Sequence, residues 1–300
     1  MPGCSFVSEG RLAKRVLVLL SRLRERAGER AKWLVSLPPT LFLLVFFLAP
    51  SIIMVAASFR YPGEFGGLAP LFAIPGKESG LTLDAYRFFF GDFTYLEIFL
   101  RSFAVAGLTT LICILMAYPL AWLIARSPKK HRDLMVLLVI LPFASNFLIR
   151  VYAWIIILGP LNLLYSSFAV IVGMVYVHLP FMVLPLYTNL EKHDSALLEA
   201  AQDLGANAWT RFWRITFPLS LPGIFSGSAL VFIPVLGMFA IPELLGGTGD
   251  ILIGNLIKEQ FLDNRDWPLG STLSLMLTMA VLGLAALAAW AGRTRRGGAG

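Results

Sequence analysis

Long stretches without Asp, Glu, Lys or Arg divide this chain. Five of them are each longer than the roughly 20 apolar residues that a helix needs to cross the hydrocarbon layer of a bilayer. They run over residues 33–59, 102–125, 151–190, 215–242 and 269–292. This pattern predicts a protein that is embedded in a membrane and crosses it several times.

The third stretch is too long for one helix, and it follows the apolar run 134–149 with only Arg150 between them. We divide this region at the helix-breaking pair Gly159 and Pro160. Only helices and closed β-barrels can span a bilayer, and the alternation of apolar and polar residues over about ten residues that is typical of barrel strands is missing here. The sequence therefore predicts an all-α integral membrane protein of about six spans. Their positions are near 34–59, 102–125, 134–158, 168–188, 216–240 and 270–292.

Composition and charge agree with a membrane location. Hydrophobic residues make up 57% of the chain and charged residues 14%, whereas soluble domains carry about 25% charged residues. Of the 25 Lys and Arg residues, eighteen lie in 1–33, 126–132, 189–214 and 293–300. Because basic residues are enriched in cytoplasmic loops, we expect both termini in the cytoplasm. The net charge of +7 is explained by this topology, so no nucleic acid partner is expected.

We expect three parts along the chain: a basic cytoplasmic segment at 1–33, a transmembrane domain at 34–292 and a cytoplasmic tail at 293–300. The first apolar run exceeds the 7–15 residues typical of a signal peptide, so it predicts an uncleaved first span. Within 11–32, apolar residues share one helical face among arginines. This segment is interpreted either as a helix lying on anionic lipid or as a solvated tail that only sets the topology.

No pattern for catalysis or for metal binding is present in the sequence. The three histidines lie in separate segments without the spacing of metal ligands. Residues 76–79 (GKES) resemble part of a phosphate-binding loop but lack its first glycine. We therefore predict no enzyme activity, no catalytic residue, no metal and no cofactor. If ATP drives this protein, the energy must enter from a separate subunit.

The segment 189–214 is the longest internal loop on the predicted cytoplasmic side. A short helix is expected over 195–204, with Ser195 at its N-cap and Gly205 at its end, and a second short helix over 207–216. Leu204 and Trp209 are expected to fill a hydrophobic groove on a partner. The residues of the spaced pattern in this region are Glu199, Ala200, Ala201, Leu204, Gly205, Ile215 and Pro218.

This pattern resembles the EAA loop of ABC importer permeases, with Phe217 in place of the usual leucine. The resemblance implies a type I (MetI-like) permease fold in a bacterial inner membrane. It also implies that the loop is a coupling helix that inserts into an ABC ATPase subunit, which we expect to be a homodimer. The plain alternative is a cytoplasmic helical hairpin that only holds two spans together.

Further stretches across residues 80–290 are similar to the first membrane subunit of the spermidine/putrescine permease branch. They are LTLDAYR (81–87), YPLAW (118–122), LIRVYAW (148–154), LPFMVLPLY (179–187), IPELLGG (241–247) and RDWP (265–268). This resemblance implies a second permease subunit, an extracytoplasmic solute-binding protein and a polyamine substrate. The segment after Gly159 is shorter than in that branch, and the basic N-terminal segment is longer. Related families carry iron, thiamine, phosphonates or opines, so the substrate stays open at this point.

Four residues are candidates for the substrate pathway, and each has a structural alternative. Arg150 is costly inside a span, but its side chain can also reach the outer headgroups. Tyr152 and Trp154 offer faces for cation–π contact with protonated amines, but they also suit an interfacial aromatic belt. Glu243 is placed to attract a polycation or to cap a loop.

Two other hypotheses about the function of the spans were considered from the residue types. A self-powered secondary transporter or channel needs ionisable groups at mid-membrane depth and often has an internal repeat. Beyond cysteine and tyrosine, only Arg150 and His178 are ionisable within the predicted spans. A purely structural assembly subunit is the other alternative. Gly223 and Gly227 suit a close helix contact, either with a sister subunit or within the chain.

Overall fold

The computed structural model describes residues 36–72 and 80–296. The interpretations of residues 11–32 lie outside this part of the chain. The described residues divide into two compact units, with the boundary between Ala56 and Ala57. The first contains most of helix α1 (Ser36–Ser58), whose mean hydropathy is 2.5. Most side chains of α1 are exposed and apolar, which is the composition that a lipid-facing span requires.

The second unit begins with a short helix, α2 (Asp84–Gly91), and a long helix, α3 (Phe93–Arg126). The Asp92 side chain caps α3 by accepting a hydrogen bond from the Thr94 backbone N–H at 2.9 Å. This hydrogen bond lowers the pKa of Asp92 below its ordinary value. At 1.5 Å per residue, α3 is about 50 Å long, so it extends well beyond the bilayer core.

The interval that we predicted as one span at 134–158 contains a sharp break. Helix α4 (Lys129–Ile140) continues into a 3-10 turn (Leu141–Ala144), and helix α5 (Phe147–Leu158) follows. The two halves meet at 92°. Pro142 lies in the 3-10 turn, and Asn146 starts α5 by accepting a hydrogen bond from the Leu148 N–H at 2.8 Å. Hydropathy misses this break because the two polar residues in it, Ser145 and Asn146, are flanked by apolar residues on both sides.

The remaining helices complete the second unit. Gly159 ends α5, so the chain does break at the position where we divided the long apolar stretch. The following elements are α6 (Ser167–Leu190), α7 (Ser195–Asp203), α8 (Ala208–Leu236), α9 (Ala240–Leu245), α10 (Ile253–Lys258) and α11 (Trp267–Arg296). Two π-helical turns are present in this region, Phe212–Thr216 inside α8 and Glu259–Asp263 after α10.

Helices α3, α6 and α8 pack against one another and form the core of the second unit. The buried face of α3 carries Ala106, Cys113, Ala117 and Ala121, all fully buried. Their spacings of seven, four and four residues are those of one helical face, and their small side chains let neighbouring helices approach closely. Helix α6 is the most buried of the long helices, so it lies at the centre of this group.

Glycines bring α8 into close contact with α6. A β-carbon on Gly227 would lie 2.7 Å from the Met182 sulfur, and one on Gly223 would lie equally close to Asn189. Of the two interpretations of this glycine pair, the structure therefore supports contact within the chain. Within residues 36–72 and 80–296, five long apolar helices and one bent pair confirm the predicted fold class, an all-α membrane protein.

Candidate functional site

The loop between α6 and α8 is built around the short helix α7. Its N-cap is Asp194, whose side chain accepts a hydrogen bond from the Ala196 N–H at 3.0 Å. The prediction that Ser195 caps this helix was therefore wrong by one residue. An aspartate is at least as good a cap as a serine, and its charge also favours the helix N-terminus. Glu199 and Ala200 are exposed on α7, and Ala201 is half-buried.

Gly205 ends α7 with a Schellman motif. The Ala206 N–H donates to the Ala201 carbonyl, and the Gly205 N–H donates to the Gln202 carbonyl, both at 2.9 Å. The φ angle of Gly205 is +81°, and a β-carbon placed there would meet nothing within 4 Å. The positive φ angle therefore requires glycine at this position, whereas the surrounding space would admit a larger side chain. This turn gives the loop a defined shape.

The second short helix that we predicted over 207–216 is part of the next span. Asn207 caps α8 by accepting a hydrogen bond from the Thr210 N–H at 2.8 Å. From there the helix runs through the π turn Phe212–Thr216 into the membrane without a break. Ile215 lies in this turn, and Pro218 lies in the first turn after it. Only α7 is thus a separate helix of the loop.

Apolar side chains are exposed on this loop. Leu204 is 88% exposed, Trp209 is 70% exposed and Leu197 is 50% exposed. Leu204 and Trp209 were predicted from the sequence, whereas Leu197 was missed, although its spacing of seven residues from Leu204 places both on one helical face. A hydrogen bond of 2.7 Å from Arg211 to Gln202 ties α8 to α7. Leu197, Leu204 and Trp209 are thus exposed apolar residues of this loop, and together they are its apolar patch.

Behind the loop lies a cleft of about 460 Å³ between α7 and the ends of α3, α6 and α8. Its wall includes Glu199, Arg126 and Trp122. The Arg126 guanidinium lies over the Trp122 ring at 4.6 Å. An ion pair of 2.8 Å joins Arg132 to Glu191 beside it. We call this end of the helices, which carries α7, the loop end. Several of the basic residues that were used to predict the topology lie together there.

Arg150, the first candidate for the pathway, lies in the first turn of α5, just after the bend. Its guanidinium carbon is 5.5 Å from the centre of the Phe143 ring and 6.0 Å from that of Phe147. The Arg150 Nε is buried and has no hydrogen-bond partner within the described chain. Cation–π contacts with two rings thus stabilise this charge.

Two of the other three pathway candidates, Tyr152 and Trp154, lie on α5 with Arg150, and the third lies on α9, which packs against α5. Tyr152 is 52% exposed, while the Trp154 ring meets the Tyr176 ring edge to face at 5.6 Å. Glu243 lies on α9 and forms an ion pair of 2.9 Å with Lys258. The hydrogen bond from Lys258 to Glu243 raises the pKa of the Lys258 ammonium. The structure does not bring Glu243 together with the apolar patch of the loop.

A second cleft, of about 710 Å³, lies around Glu243. Its wall also carries the carboxylates of Asp250, Glu259 and Asp263 and the ammonium of Lys258. Asp250 belongs to a hydrogen-bonded cluster that the sequence reasoning missed. The Asp250 carboxylate accepts hydrogen bonds of 2.5 Å from both Arg101 and Ser167. These residues are far apart in the sequence, so no local pattern indicates the cluster.

The Asp250 cluster marks the end of the helices that is opposite to the loop end. Arg101 lies near the start of α3 and Ser167 at the start of α6, whereas Arg126 and Leu190 at the other ends of these helices line the cleft behind the loop. The acidic cleft and the apolar patch are therefore separated by the length of a span. In the part of the chain that the structure covers, no group of three or more metal-binding side chains occurs.

Comparison with known proteins places these features in a family. The profile of the family described as "Binding-protein-dependent transport system inner membrane component" matches residues 106–293. The chain is 40% identical over 266 residues to the spermidine/putrescine transport system permease protein PotB of Escherichia coli, covering 83% of this chain and 93% of that protein. It is also 40% identical over 257 residues to the protein of the same name from Haemophilus influenzae, covering 79% and 86%.

Solved structures share the fold at lower identity. A bacterial ABC transporter involved in the import of the acidic polysaccharide alginate has a chain that superposes with a TM-score of 0.63 at 19% identity, covering 90% of this chain and 99% of that one. A second alginate ABC transporter structure, in complex with a periplasmic protein bound to an alginate pentasaccharide, gives a TM-score of 0.60 at 18% identity, covering 93% and 94%.

The family match covers more than half of the chain and includes α7 and the spans on both sides of it. It agrees with the apolar helices of the fold, with the defined turn at Gly205 and with the exposed loop. Its members are membrane components of transport systems and not enzymes. The chain belongs to the family of binding-protein-dependent transport system inner membrane components, as a multi-pass permease subunit of an ABC importer in the inner membrane.

Proposed function

We propose that this chain forms half of the pore of an ATP-driven importer of polyamines, with spermidine and putrescine as substrates. The relatives with 40% identity over about four fifths of the chain carry this substrate in their names. The acidic cleft around Glu243 supports a cationic substrate, because carboxylates at the mouth of a pathway raise the local concentration of cations. We place this cleft on the extracytoplasmic side and the loop end in the cytoplasm.

The observation that carries the proposal is the exposed loop around α7 with its defined turn at Gly205. The Schellman turn at Gly205 holds Leu204 in a position where it is 88% exposed. An apolar helix face of this kind suits a hydrophobic groove on a partner. The partner is the ABC ATPase subunit, a homodimer that presents one groove to each of two permease subunits. Glu199, Ala200 and Ala201 lie on the helix that enters the groove.

The continuity of α8 suggests how ATP hydrolysis moves the pore. Because α8 runs from Ala208 to Leu236, a displacement of α7 reaches the membrane through one helix. Helix α8 packs on α6 and α3, so these three helices are expected to tilt together when the ATPase closes. Alternating access then opens the pathway to each side in turn.

Two further partners complete the importer. The second permease subunit contributes the other half of the pore, and the exposed apolar faces of the spans supply its contact surface and the lipid contacts. An extracytoplasmic solute-binding protein delivers the substrate to the side that carries the acidic cleft. Arg150, Tyr152 and Trp154 near the bend of the third span are candidates for the wall of the pathway.

The proposal is tested by reconstitution in liposomes. The complete complex is expected to import radiolabelled spermidine or putrescine only when ATP and the loaded binding protein are both present. Replacement of ATP by a non-hydrolysable analogue is the control and is expected to stop uptake. Import by the isolated chain with only an ion gradient would contradict the ATP-driven mechanism. ATP-dependent import of another solute, with no polyamine uptake, would contradict the substrate.

A further inference from the structure

Tyr118 on α3 contacts the part of α8 where the loop enters the membrane. The Tyr118 hydroxyl oxygen lies 3.2 Å from Oγ of Ser220, and the Ser220 hydroxyl donates to the Phe217 carbonyl at 2.8 Å. A serine hydroxyl has one hydrogen, so Tyr118 is the donor in its contact with Ser220. Ser220 is fully buried. This hydrogen bond thus joins α3 to α8 with a defined direction.

The Tyr118 ring is also held by two phenylalanines of α8. Its centroid lies 5.6 Å from that of Phe212, edge to face, and 6.4 Å from that of Phe217. In a regular α-helix, residues five apart point in directions about 140° apart. Here the Phe217 N–H donates to the Phe212 carbonyl in the π turn, and the centroids of the two rings lie 6.2 Å apart. The π turn therefore lets both rings contact Tyr118.

The ring contacts continue to the exposed part of the loop. The Trp209 ring stacks on Phe212 at 6.5 Å, and Trp209 belongs to the apolar patch proposed to meet the ATPase. A line of rings thus leads from Trp209 through Phe212 to Tyr118 on a different span. The backbone of α8 joins the loop to its own span, whereas this line joins it to α3. π turns inside α-helices occur frequently at functional sites.

We propose that Tyr118 is a positioning residue for energy coupling, which makes α3 follow the base of α8 when the ATPase displaces the loop. The proposal rests on the proposed function, because it requires a docked ATPase. Without the Tyr118 contact, ATP hydrolysis continues but moves α8 more than α3, so fewer hydrolysis events open the pathway. The expected effect is on the number of substrate molecules imported per ATP.

The test uses the complete complex in liposomes and measures spermidine import and ATP hydrolysis in the same sample. Tyr118→Leu is expected to assemble and to hydrolyse ATP, while import per ATP falls about fivefold, the scale of losing an aromatic contact with its hydrogen bond. Tyr118→Phe keeps the ring and is expected to retain most of the ratio. Phe93→Leu changes an exposed residue at the start of the same helix, outside the predicted spans, and it is expected to match the unmodified complex.

An unchanged ratio in assembled Tyr118→Leu complexes would overturn the proposal. A fall of import and hydrolysis in equal proportion would also overturn it, because that result indicates only a structural role. If Tyr118→Leu does not assemble, Phe212→Leu removes the same ring contact from the other side, and an unchanged ratio there is decisive against the proposal. Failure of the unmodified chain to bind the ATPase or to import polyamine would instead contradict the proposed function.

Discussion

Gly223 on α8 lies so close to Asn189 on α6 that a β-carbon on the glycine would be 2.7 Å from the β-carbon of Asn189. A second atom of Asn189, Cγ, would be only 3.1 Å away. The two helices therefore touch through backbone and short side chains at the loop end of α6. This contact keeps the membrane end of the loop close to the central helix, so it is a sensitive place for substitution.

Gly223→Ala is expected to destabilise the chain by about 1–3 kcal/mol, the typical cost of overpacking a tight contact. The measurement is the thermal unfolding midpoint of the purified protein in detergent. Gly283→Ala on α11 is the matched control, because a β-carbon there would meet nothing within 4 Å. Equal midpoints for the two variants would show that the α6–α8 contact is not tight.

Gly205→Val is expected to weaken binding of the ATPase, although the site has space for the side chain. A β-branched residue is strained at a φ of +81°, so the Schellman turn is expected to open and Leu204 to lose its position. The measurement is copurification of the ATPase subunit with the chain. Gly91→Val at the end of α2, which also has free space around it, is the control. Normal copurification with Gly205→Val would contradict the role of the turn.

Leu204→Asp is expected to reduce capture of the ATPase about tenfold or more, because a charge on a buried interface residue removes its apolar contact. The stability of the chain itself is expected to stay the same, since Leu204 is 88% exposed. Leu81→Asp changes a leucine that is 74% exposed and lies far from the loop end. The prediction fails if both variants bind the ATPase equally well.

Lys258 is expected to react slowly with amine-acylating reagents at mildly alkaline pH. The hydrogen bond to Glu243 raises the Lys258 pKa, so a smaller fraction of the amine is deprotonated and nucleophilic. Glu243→Gln removes the carboxylate and is expected to speed acylation. Since the folded-state pKa is raised, the stabilising contribution of the pair is complete below the ordinary lysine pKa and is lost as the pH rises through the folded-state value. Mass spectrometry of the modified peptide gives the rates, and equal rates would exclude this ion pair.

Asp250→Asn is expected to destabilise the second unit by about 1–2 kcal/mol. The Asp250 carboxylate accepts hydrogen bonds from Arg101, Ser167 and the Gly247 N–H, but the Arg101 side chain is 40% exposed, so solvent screens part of the ion pair. A double-mutant cycle with Arg101→Gln measures the coupling between the two side chains. Additive effects in the cycle would contradict a direct interaction.

The fold class of this protein can be predicted from its sequence because a span in contact with lipid requires an apolar composition. A helix in a bilayer must satisfy its own backbone and present apolar side chains, so the long charge-free stretches predict the all-α class without knowledge of any tertiary contact. The end of α7 at Gly205 is equally local, because only the conformation of one residue decides it. The exposure of Leu204 and Trp209 was also expected from the sequence, whereas the EAA pattern was identified by its resemblance to ABC importer permeases.

Only the tertiary structure decided the features that join distant residues. The bend before α5 depends on how Pro142 and Asn146 place their backbone, and hydropathy does not register this. The contact of Gly223 with Asn189 and the contact of Tyr118 with Ser220 each join different helices. Which side chains meet across helices depends on the packing of the whole bundle. The positions of the spans, in contrast, depend on the apolar composition that contact with lipid requires.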